Sequence, residues 1–78
     1  MMIPNEALKQ FAEALARRDG RSAIRLETVR SAITGWARCY AIVNSLDPSL
    51  SERRLNAAVK HYADVRARRY RQPELLSA

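Results

Sequence analysis

Catalysis needs reactive side chains within reach of one another, and this 78-residue chain offers few. It has one histidine, His61, and one cysteine, Cys39. Nucleophilic chemistry calls for a base beside the nucleophile and a third group that orients the base. Hydrophobic periodicity assigns Cys39 and His61 to different helices and places Cys39 on a helix-packing face, as a small buried hydrophobe. His61 has Asp64 three residues on, the spacing of a surface pair on one helix. A metal centre needs three or four His, Cys or carboxylate ligands, and one nitrogen and one sulfur ligand fall short of that. Gly20 and Gly35 are too far apart to cradle a phosphate. The expectation is a non-enzymatic protein with no cofactor, no metal and no small-molecule substrate.

Positive charge is what the chain has in quantity. Fourteen Lys and Arg against eight Asp and Glu give a net charge of +6, and twelve of the fourteen are arginine. Such a balance favours polyanionic partners, and arginine suits bidentate contact with phosphate. From Glu52 to Arg71 there are seven basic residues, opposed only by Glu52 and Asp64. Arg53, Lys60, Arg68 and Arg71 share the face opposite the apolar stripe of their helix. Arg66 and Arg69 stand where further apolar residues would continue that stripe. Tyr70, set among arginines, has a ring that would stack on a base or support a guanidinium. Arg53, Lys60, Arg66, Arg68, Arg69, Tyr70 and Arg71 are therefore the candidate nucleic-acid contacts, to DNA or RNA, with an acidic protein surface as the other partner of the same charge. Thirteen alanines beside twelve arginines would also suit a GC-rich bacterial or phage genome.

Three helices must position these groups. The first is expected over about 6–18, with Asn5 as N-cap, Leu8, Phe11, Ala12 and Leu15 as its stripe, and Gly20 as a left-handed C-cap. The second is expected over about 23–46. Leu26, Val29, Ile33, Trp36, Tyr40 and Val43 recur at three- and four-residue steps along one face. Ser31, Gly35 and Cys39 make a groove of small residues on another, which the first helix would occupy. Gly35 is also the point where this helix would break, if it breaks. Asp47-Pro48-Ser49 reads as a three-residue turn, and Ser49-Leu50-Ser51-Glu52 matches a capping box. The third helix is expected over about 50–71, antiparallel to the second and facing Trp36. Pro73 would end it, leaving a tail of 72–78 in which Leu75 and Leu76 fold back or fray. The fold class is a single all-α domain of three helices with a long central helix and an antiparallel hairpin of helices 2 and 3.

Two further readings follow from this arrangement. Ala16 and Gly20, with Leu15, Leu26 and Val29, partly match a helix-turn-helix in which residues 22–32 present Arg25, Glu27 and Arg30. Asp19 and Arg21 depart from that pattern. Alternatively the hairpin is a protein-interaction module (adaptor, chaperone or oligomer subunit) with Trp36, Tyr40, Gly35 and Tyr62 at a partner or homodimer interface. No apolar run approaches the roughly 20 residues of a membrane span. The N-terminus lacks the basic-then-apolar pattern of a secretory signal, and one cysteine suits a reducing compartment, so a cytoplasmic location is expected.

Overall fold

Pro4 opens the first helix. Its extended backbone at the N-cap position lets its carbonyl accept from the N–H groups of Ala7 and Leu8, and proline loses nothing where a free N–H would go unpaired. The computed structural model describes the backbone of residues 1–20 and 24–77, and side chains as far as Arg69. Within it lie α1 (Asn5–Asp19), α2 (Leu26–Val43) and α3 (Glu52–Ser77). The molecule is all-α, with no strand among the described residues; an isolated bridge joins Met2 to Asp47.

Each helix end departs from the sequence reading for a local reason. Asn5 lies inside α1 and caps nothing; its Oδ1 accepts from Arg54 Nε at 2.9 Å. Gly20 has φ 60° and ψ −133°, a positive-φ conformation outside the left-handed helical well that side chains with a Cβ rarely adopt. Helix α2 starts at Leu26, because Arg25 is extended. The expected start at residue 23 lies outside the described residues, and the expected recognition helix over 22–32 is not continuous. At the other end α2 stops at Val43. Ser45 takes a positive φ of 55°, its N–H donates to Ile42 C=O, and Leu46 N–H donates to Ala41 C=O at 2.8 Å. That is a Schellman termination with serine in the usual glycine position. The helix runs unbroken through Gly35.

The link to α3 is eight residues, 44–51, instead of three. Asp47 Oδ1 accepts from Ser49 N–H, tightening an Asx-type turn. The N-cap is Ser51, whose Oγ accepts from Arg54 N–H. The predicted capping box is therefore two residues out of register, and Glu52 is free to pair with Arg30 Nη2 at 3.0 Å. The longer link also lets α3 begin alongside the middle of α2. Arg30 bonds Asn56 as well, and Leu50, Glu52 and Leu55 line a groove with Ser31, Thr34 and Gly35. Pro73 does not end α3, which continues to Ser77; losing one N–H is a cost to a helix, not a prohibition.

The centre of the molecule is α3 rather than α2. Helix α1 lies against α3 and runs in the same direction: Asn5 meets Arg54, Glu13 meets His61, Asp19 meets Tyr62 and Gly20 meets Arg66. Buried alanines at 12, 16 and 58 let the two backbones approach closely. In α2 the core-facing line is Val29, Ile33, Ala37 and Ala41, one residue per turn. Larger apolar side chains on either side of it misled the sequence reading: Leu26 and Val43 are exposed. Phe11 of α1 stacks on Trp36, with ring centroids 4.6 Å apart and planes 8° from parallel. Trp36 thus faces α1, not α3, and α1 does not fill the Gly35 groove, where an added Cβ would meet no atom within 4 Å. Cys39 is exposed instead of buried. Ile3 is wholly buried, so the segment before α1 is part of the core.

Candidate nucleic-acid interface

The parallel packing of α1 on α3 leaves two hollows in line along the seam between them, a groove crossed at its middle by the Glu13–His61 bond. Asn5, Lys9, Glu13 and Arg17 follow one another at four-residue steps along the α1 wall. Arg54, Ala57, His61, Val65 and Arg68 follow at three- and four-residue steps along the α3 wall. Such steps keep residues on one helical face. Lys9 and Arg54 sit at the foot of the groove, with Leu8 and the alanines as its floor. Arg17, Arg68 and Arg69 surround its upper end.

The arginines of α3 divide into two kinds. Arg54 and Arg66 are clamps at the two ends of α1. Arg54 donates through Nε to Asn5 and through Nη2 to the Ile3 carbonyl. Its Nη1 is buried with no hydrogen-bond partner among the described residues. Arg66 Nε donates to the Gly20 carbonyl at 3.1 Å. It lies over the Tyr62 ring, 5.7 Å from the centroid. Arg53 and Lys60 are exposed on the outer side of α3, and Arg68 and Arg69 are exposed at the upper groove. Arg68 Nε donates to the Asp64 carbonyl. The side chains of Tyr70 and Arg71 lie outside the described residues.

Acidic groups near the groove are largely spoken for. His61 Nε2 meets Glu13 Oε1 at 2.8 Å, in place of the expected pair with Asp64. The bond from His61 is the main reason the Glu13 carboxyl titrates below its ordinary value, helped by the charges of His61, Arg17 and Lys9. Tyr62 Oη donates to Asp19 at 2.6 Å. Burial first, and then Asp19, push the Tyr62 phenol above its ordinary value. Tyr62 is fully buried, which removes it from the predicted partner surface and makes it a core residue with a polar end. Trp36 and Tyr40 are partly buried in the stack that Phe11 begins, and Gly35 is exposed.

The sequence reading missed the α1 half of this surface. Lys9, Glu13 and Arg17 stand four apart, next to the stripe of Leu8, Ala12 and Leu15, and that spacing already puts them on a single flank of the helix. What it does not say is which helix lies beside that flank. Among the described residues no three His, Cys, Asp or Glu side chains gather as a metal site would need, and no helix is long and apolar enough to cross a membrane. No family model, curated protein or solved structure matches the chain.

Proposed function

We propose that this is a small, non-enzymatic, nucleic-acid-binding accessory or regulatory protein that holds its partner through phosphate contacts. The observation that supports this reading most is the run of exposed cations at Arg53, Lys60 and Arg68 along one side of α3, on a chain of net charge +6. Basic side chains along a helix give affinity that is electrostatic and falls with salt. A cytoplasmic bacterial or phage setting would suit the exposed thiol of Cys39. Fluorescence anisotropy of labelled DNA and RNA across a salt series tests the reading. Binding at low salt, with log K falling linearly against log salt, is expected. Replacing Lys60 and Arg68 by glutamine should lower that slope by about 2 if both touch phosphate. Absence of binding at low salt would remove the proposal.

One observation favours a second reading, a protein-interaction or dimerisation role. Ile42 and Val43 are 71% and 81% exposed, at the same end of the molecule as the exposed Met2. Adjacent apolar exposure of this kind marks contact surfaces. Light scattering on the wild type and on Ile42→Glu separates the two: a dimer dissolved by the substitution would support the second reading.

A further inference from the structure

We infer that the α1–α3 groove is the nucleic-acid seat, that Lys9 and Arg17 of α1 contact phosphate as fully as the arginines of α3, and that the partner is a duplex bound without regard to sequence. This rests on the nucleic-acid reading above and specifies it. The first support is charge. Lys9 and Arg17 on one wall and Arg54 and Arg68 on the other frame a groove whose acid, Glu13, is bonded to His61. Among the described lining residues Lys9, Arg17, Arg54, Arg68 and Arg69 outnumber that one carboxylate, which also lies 3.9 Å from Arg17 Nη2, and a net positive lining complements a phosphate backbone.

The second support is width. Packed helices lie about 8–10 Å apart, and each is about 10–12 Å across with its side chains, so the two walls together span roughly 20 Å. The major groove of B-DNA is about 12 Å wide and admits one helix. A face made of two parallel helices cannot enter it, so it lies against backbone, and backbone contacts carry no base information. The third support is the chemistry of the lining. Single strands are held by stacking bases on aromatic rings. Phe11, Trp36 and Tyr40 stack together towards α2 and Tyr62 is buried, so among the described rings the groove is lined by the His61 imidazole, which is tied to Glu13.

The experiment compares wild type with Lys9→Gln/Arg17→Gln, checked by circular dichroism for retained helix, on two duplexes of equal length and different sequence and on one single strand. The expected results are a salt slope reduced by about 2 in the variant, duplex affinities within about tenfold of each other, and weaker binding of the single strand. Specific readers separate sites by about 10³ or more, so discrimination of that order would overturn the inference and point to a single helix in the major groove. An unchanged slope, or tighter binding of the single strand, would overturn it as well. Displacement of the duplex by polyglutamate at equal charge concentration would assign the groove to an acidic protein instead. Each of these outcomes presupposes that wild type binds some nucleic acid; if it binds none at low salt, the parent reading fails and this one with it.

Discussion

The same residue type does two jobs here, and only its neighbours tell them apart. Arg53 and Arg54 are adjacent, yet Arg53 is exposed while Arg54 ties α3 to Asn5 and Ile3. Arg66 and Arg68 differ in the same way, one bonding the Gly20 carbonyl and the other exposed at the upper end of the groove. A phosphate contact needs a guanidinium that can turn towards its ligand; a clamp needs one held still by carbonyls. The Glu13–His61 bond makes the electrostatics of the groove testable by pH. Glu13 titrates below its unfolded value of 4.5, so its contribution to stability is present above that value and is lost as pH falls through the folded one. Replacing His61 by alanine removes the largest cause of the shift. In a titration followed by NMR, the Glu13 carboxyl of His61→Ala is expected to move up towards 4.5. A carboxyl that stays at its wild-type midpoint would show that Arg17 and Lys9, not His61, hold it down.

At the scale of the helices, periodicity located all three and misassigned what they touch. Leu8, Ala12 and Leu15 announced the buried face of α1 correctly. In α2 the bulky residues drew attention away from Ala37 and Ala41, which are buried along with Ile33 and let α2 approach its neighbours through small side chains. A hydrophobicity pattern weights size, whereas close packing of helices rewards its absence. The Ser49–Glu52 box was likewise a valid local pattern that lost to tertiary structure. Ser51 caps the helix, and Glu52 gains Arg30, twenty-two residues away, a partner no local window contains. Gly35 gives this scale its test. It lies mid-helix in α2, and a Cβ there would meet nothing within 4 Å. Gly35→Ala is therefore expected to stabilise by about 0.5–1 kcal/mol through helix propensity. For a domain of this size that raises the melting temperature by about 2–8 °C. Single-residue Trp36 serves as the fluorescent probe of the transition. A fall in melting temperature would mean that another surface packs into the groove of Ser31 and Gly35.

For the whole molecule, the fold class was legible and the arrangement was not. Three apolar stripes and two breaks are enough to predict three helices. They do not rank the pairings, because each stripe can face either of the others. The decisive contacts, Arg54 to Ile3, His61 to Glu13 and Tyr62 to Asp19, join residues more than forty positions apart. Those contacts make α1 and α3 parallel partners, and the parallel pairing is what adds Lys9 and Arg17 to a basic surface that α3 alone suggested. They also place the apolar residues Ile42 and Val43 on α2, a helix that contributes nothing to the α1–α3 groove. The two proposed partners would therefore leave footprints on different helices. The most direct test is an NMR titration of the labelled protein with a short duplex at low salt, following backbone amide shifts. Binding through the α1–α3 groove and the adjoining side of α3 predicts shifts concentrated at Lys9, Arg17, Lys60 and Arg68, with Met2, Ile42 and Val43 unmoved. Shifts centred on Ile42 and Val43, or none anywhere at low salt, would contradict it.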